Sequence, residues 1–160
     1  MQSNTPEWRM LMNEAAYSLI REQVPEELPL YVKTRDRYFA DPEGFTAQVA
    51  PADHPLGMGA IEVLQNFSQT IFPLLPPILA AIGAAVAAAL QQQVTDRIVA
   101  EVGKIFTKPE PIFTQAQLEA ISAEISAVVK DRQQQLNLDR AQAQLIRDAI
   151  IARLALAKKA

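Results

Sequence analysis

Few residues in this chain are equipped for chemistry. There is one histidine, His54, in the stretch Ala-Asp-His-Pro-Leu-Gly, and there is no cysteine. An imidazole beside a carboxylate such as Asp53 can act as a general base. Zinc needs three or four donors, and no second histidine or thiolate is present to supply them. Gly57 and Gly59 form a Gly-x-Gly ahead of a helical pattern, but no lysine or arginine follows that would hold a phosphate. Glu119 and Glu124 lack the Glu-x-x-His partner of a di-metal helical bundle.

Two basic groupings also invite a functional reading. Lys33, Arg35 and Arg37 lie close to Tyr31, Tyr38 and Phe39, a mixture that suits a phosphate or a membrane headgroup. The same residues equally describe a solvated face, with Asp36 compensating locally and the tyrosines packed on the first helix, and this reading is preferred. Arg132, Arg140, Arg147 and Arg153 recur along the C-terminal segment, where Asp131, Asp139 and Asp148 adjoin three of them. That arrangement predicts a salt-bridged face rather than a stripe for an acidic partner. With 15 basic and 18 acidic residues the net charge is −3, which gives no basis for a nucleic-acid partner. The expectation is a protein that is not an enzyme and has no metal, no cofactor and no evident small-molecule substrate.

The elements that carry these residues are predicted to be helices. Thr5-Pro6-Glu7 has the chemistry of a helix start: a capping hydroxyl, a proline at the first position and an acid near the positive end of the dipole. Trp8, Leu11, Met12, Ala15, Leu19 and Ile20 then make an apolar stripe that ends near Pro25. Leu30-Tyr31-Val32 fits a short helix slightly better than a strand. Proline, glycine and aspartate gather over residues 41–59, which predicts a loop or hinge.

Residues 63–95 contain no charge, and residues 71–90 contain no polar side chain. About 20 apolar residues can cross the roughly 30 Å core of a bilayer. Pro73 and the Pro76-Pro77 pair predict a break, so a proline-bent hairpin is expected, with its second helix starting at Pro76 or Pro77. That helix is expected to run about 30 residues, roughly 45 Å, to a stop before Pro109. Small residues recur at four-residue spacing within it: Ala80/Ala84/Ala88, Ala81/Ala85/Ala89 and Gly83/Ala87. Such spacing lets helix backbones approach closely, in a membrane or in a protein core.

Thr114-Gln115-Ala116-Gln117 fits a capping box. Leu118, Ile121, Ile125 and Val128 follow at the spacing of a coiled-coil seam. Beyond them a long C-terminal helix either shifts register or divides near Asn137.

The sequence therefore predicts one all-α domain over 1–160: an N-terminal helix plus an irregular segment (1–57), an apolar hairpin and long helix (58–108), and a coiled-coil-like C-terminal helix (112–160). Two functions follow from the apolar run. The preferred one is a helical assembly protein, a homo-oligomer or the partner of another helical protein. Its interface residues would be Ala80, Ala81, Gly83, Ala84, Ala85, Ala87 and Ala88 with Leu118, Ile121, Ile125 and Val128. The alternative is a membrane-associated or pore-forming protein that inserts residues 61–90 into a lipid bilayer. The N-terminal residues show no secretory h-region, and the lack of cysteine fits a reducing compartment, so an intracellular location is expected.

Overall fold

The computed structural model describes residues 5–49, 66–91 and 93–160, and His54, Gly57, Gly59, Ile61 and Leu64 lie outside them. The first helix, α1 (Pro6–Gln23), starts where its capping chemistry places it, with the Trp8 N–H donating to the Thr5 hydroxyl at 3.2 Å. Its predicted stripe is buried, and Ala16 joins it. A single 3-10 turn (Pro25–Glu27) leads into α2 (Leu28–Ala40), so the helical reading of Leu30-Tyr31-Val32 is the observed one.

The loop expected from residue 41 gives way to another helix, α3 (Pro42–Val49). Asp41-Pro42-Glu43 repeats the logic of Thr5-Pro6-Glu7: the Asp41 carboxylate accepts from the Gly44 N–H at 3.1 Å, and proline opens the first turn. A Cβ on residue 44 would collide with that carboxylate, which is why glycine suits the position. The turn signal in the sequence was a helix start.

The largest departure is in the apolar run. Residues Phe67–Leu90 form one helix, α4, that passes through Pro73, Pro76 and Pro77 without ending. The expected proline-bent hairpin is therefore replaced, among the described residues, by a continuous helix. Each interior proline deletes an i→i−4 hydrogen bond and costs about 3 kcal/mol. Against this, Phe67, Ile71, Phe72, Leu74, Leu75, Ile78, Leu79, Ile82 and Val86 are all at 0 % exposure. Each contributes roughly 1.5–3 kcal/mol on burial. They outnumber the prolines three to one, and burial wins.

α4 packs against every other α-helix described. Phe72 is the hub for α2 and α3: it stacks on Tyr38 at 5.0 Å and meets Tyr31, Phe39 and Phe45 at 6.4, 6.4 and 6.1 Å between ring centres. The N-terminus of α4 is closed by two residues. Asn66 accepts from the Gln69 N–H at 2.8 Å. Glu27, forty residues earlier than Phe67, accepts from the N–H groups of Phe67 (3.3 Å) and Ser68 (2.9 Å) and from the Ser68 hydroxyl (2.6 Å). A carboxylate here also complements the positive end of the helix dipole.

The predicted continuation of this helix to residue 108 is also corrected. α4 stops at Gln91, which takes a left-handed conformation (φ 50°) and donates to the Ala87 and Ala88 carbonyls. The chain re-enters helix as α5 (Thr95–Thr107). The apolar stripe had to change direction, because α5 packs extensively on α1 and a straight 45 Å helix would carry Val102, Ile105 and Phe106 away from the core. Gly103 sits at the α1 contact, facing Leu11 and Glu14.

α6 (Gln115–Gln135) opens with the expected capping box, Thr114 and Gln117 each accepting from the other's backbone. It ends at Asn137, left-handed at φ 51°, and α7 (Arg140–Ala155) follows with Asp139 as its cap. Of the two arrangements the sequence allowed, the division near Asn137 is the observed one. The chain end is strapped to the α5–α6 connection: Ile112 and Phe113 donate to the Ala157 carbonyl at 2.8 and 3.0 Å, and Lys159 donates to Phe113 at 2.7 Å. Seven α-helices are present among the described residues, so the all-α bundle expected from the sequence is observed.

Two predictions follow. Glu27→Ala is expected to destabilise the protein by about 1.5–3 kcal/mol, the range for hydrogen bonds to a charged group. A lower urea midpoint at unchanged slope would show this, and an unchanged midpoint would refute the capping role. The Tyr31 hydroxyl donates to the carbonyl and side chain of Asn13 on α1. Burial pushes its pKa from 10.0 up to about 12, with Arg35 opposing. Because the folded value is the raised one, this contribution is complete below the unfolded pKa of about 10 and is lost as the pH climbs through about 12. Tyr31→Phe is expected to flatten that alkaline loss in melting temperatures taken from about pH 9 to about pH 12.

Candidate functional site

The small residues of α4 are not equivalent in the fold. Gly83 and Ala81 are buried, whereas Ala85 and Ala87 are half-buried. Ala80, Ala84 and Ala88 are exposed and lie one above another on the outer face. That face carries no charge anywhere along α4; Leu90 (42 % exposed) lies on another side of the last turn, and Gln91, Gln93 and Val94, all exposed, follow the helix stop. The three exposed alanines form a narrow apolar strip on a surface where exposed hydrophobes usually occur singly. The first charged side chains beyond it are Asp96 and Arg97, both exposed at the start of α5.

The second predicted set has a different fate. Leu118, Ile121 and Ile125 are buried, Val128 is half-buried, and Val129 rather than Val128 completes the inward row. α6 lies against α4 and α7 of the same chain, so the seam is occupied within the protomer. Residues with coiled-coil spacing therefore hold α4 in place. The alanine edge is the part of the predicted interface left open to an outside partner.

α4 is long and apolar enough to cross a membrane, with 61 % of its most apolar stretch buried against the rest of the chain. Most of its length is thus already in contact with protein, and insertion would require it to part from its neighbours.

The local pairing that the sequence suggested is observed in part. Arg35 pairs with Asp36 (3.0 Å) and Arg147 with Asp148 (2.9 Å). Arg153 instead reaches Glu22 on α1 (3.0 Å) and donates to the Phe106 carbonyl at the end of α5 (2.6 Å). It joins three helices that are far apart in sequence. Asp131 accepts from Gln135 at 3.1 Å, and Arg132 forms no ion pair among the described residues. Of the early basic cluster, Arg35 lies over the Tyr31 ring and Arg37 over the Phe45 ring, with Arg37 also donating to Gln48 at 2.8 Å. Lys33 and Arg37 are exposed and Tyr31 packs on Tyr17 of α1, in keeping with a solvated face, and the two cation–ring contacts add to the packing of α2 and α3.

The contrast between the two predicted sets can be measured. Ile125→Ala is expected to cost about 2–5 kcal/mol in chemical denaturation, as for other buried large-to-small changes. Ala84→Ser, on the open edge, is expected to stay within about 0.5 kcal/mol of the parent protein. Equal losses at the two positions would contradict the burial pattern. The chain matches no family model, no curated protein and no solved structure.

Proposed function

We propose that this is a non-enzymatic helical assembly protein that self-associates along the exposed edge of α4. The observation that carries this reading is the row Ala80, Ala84 and Ala88, open at four-residue spacing on a charge-free helix. Methyl side chains allow two such helices to approach to about 8 Å, the close end of the usual range. A symmetric pair would place each α4 edge on its copy and withdraw the Ala80, Ala84 and Ala88 methyl groups from water. In this reading the seam of α6 has a supporting part: Leu118, Ile121 and Ile125 hold α4 from within while its other side stays available.

The membrane reading rests on the length and composition of α4. It requires a rearrangement that strips α4 of its protein contacts, whereas the assembly reading uses the fold as it stands. For that reason it comes second.

Sedimentation velocity separates the two. The parent protein is expected to sediment as an oligomer at about 50 µM, near and above the range where modest interfaces associate. Ala84→Leu, which overpacks the close contact, is expected to shift it to monomer with its melting temperature preserved. A parent protein that is monomeric at this concentration would sink the proposal. Flotation with liposomes and resistance to carbonate extraction would favour insertion instead.

A further inference from the structure

Away from the α4 edge, a cleft of about 830 Å³ opens between the first turn of α1, the α2–α3 junction and the end of α6. Its walls are Trp8, Tyr38 and Phe39, with Pro76 of α4 and Leu136 beyond α6. Arg132, in the last turn of α6, brings a guanidinium into this apolar setting. Its Nε is shielded from solvent and has no hydrogen-bond partner among the described residues. Arg35, Arg147 and Arg153 each have a carboxylate at about ion-pair distance, and Arg132 has none among the described residues. Burial raises the pKa of the neighbouring Tyr38 hydroxyl, and the positive charge of Arg132 opposes that rise, so the two groups share one environment.

A partly shielded cation without a counter-charge is an unfavourable arrangement in an empty site and a favourable one when an anion binds. The surroundings limit which anion fits. Aromatic and proline surfaces accept an apolar body rather than a hydrated ion. Asp41 and Glu43 line the cleft with Arg132 and with Arg9, which lies over the Phe39 ring, so the charges of the lining balance and a ligand with several negative charges gains no net attraction. One negative charge on an apolar body satisfies both conditions.

We propose that this cleft binds a small amphipathic carboxylate, its head on the Arg132 guanidinium and its aliphatic or aromatic body against Trp8, Tyr38 and Phe39. The site is separate from the alanine edge and does not depend on assembly. A carboxylate suits the guanidinium because it can accept two parallel N–H donors.

Trp8 is the only tryptophan in the chain, so its fluorescence reports on this cleft without labelling. The test is titration of the full chain with decanoate, kept below its micelle concentration, and with decan-1-ol as the uncharged control. A saturable change with decanoate is expected, at an affinity at least tenfold above that of the alcohol. Arg132→Met is expected to remove that tenfold advantage while leaving the response to decan-1-ol in place. Should Arg132→Met fail to fold, Ala47→Phe, a change at an exposed position on the cleft wall, is expected to block decanoate with the fold intact. Absence of a saturable response in the parent protein would overturn the proposal. So would equal affinity for decanoate and decan-1-ol, undiminished decanoate binding by folded Arg132→Met, or undiminished binding by folded Ala47→Phe.

Discussion

The structure depends on burial of one helix that local rules disfavour. α4 contains three interior prolines, and as an isolated segment it would lose hydrogen bonds that nothing replaces. In the bundle it is covered by all the other α-helices described, and its large apolar side chains between Phe67 and Val86 are withdrawn from water. The rest of the chain can be understood as the means of covering it. α1, α5, α6 and α7 supply apolar faces, and α2 with α3 supplies the aromatic ring cluster around Phe72. The Glu27 carboxylate seals the N-terminal end, where exposed N–H groups would otherwise be carried toward the interior.

Coverage of α4 is uneven along its length. The first two-thirds of the helix bears Phe, Leu and Ile and is enclosed almost completely. From Ala80 onward the helix is mostly alanine and glycine, and Gly83 and Ala81 are buried while Ala80, Ala84 and Ala88 remain outside. Gln91 then turns the chain so that α5 returns to the core on α1. The helix that forms the centre of the protein thus ends as part of its surface. An apolar edge of this kind exists because the bundle has too few helices to surround a helix of this length on every side.

Long-range polar contacts secure the same arrangement. Glu27 on α4, Tyr31 on Asn13, and Arg153 on Glu22 and Phe106 each cross between elements distant in sequence. Arg153 acts at the C-terminal end of α5, where a cation complements the dipole, and also ties α7 to α1. Arg132 differs from these: it lines the aromatic cleft and has no carboxylate at ion-pair distance among the described residues.

The local features were legible in the sequence because they are decided by neighbouring residues. Thr5-Pro6-Glu7 and Thr114 to Gln117 start helices through contacts three residues long, whereas the sequence left open whether the C-terminal helix divides near Asn137, the residue that takes a positive φ. Asp41-Pro42-Glu43-Gly44 carried the same information as Thr5-Pro6-Glu7, but glycine and proline together suggested a turn, and a helix was missed. The seam residues Leu118, Ile121 and Ile125 were legible as apolar by their spacing, though not in which helix would receive them. Periodicity gives the direction of a face relative to its own helix and is silent about the neighbour. The continuity of α4 through its prolines, its stop at Gln91 and the division of its alanines into buried and open rows were decided only in the tertiary structure. Each is a balance between a local conformational cost and apolar area covered by residues far away in the chain, and that second quantity exists only once the bundle is assembled.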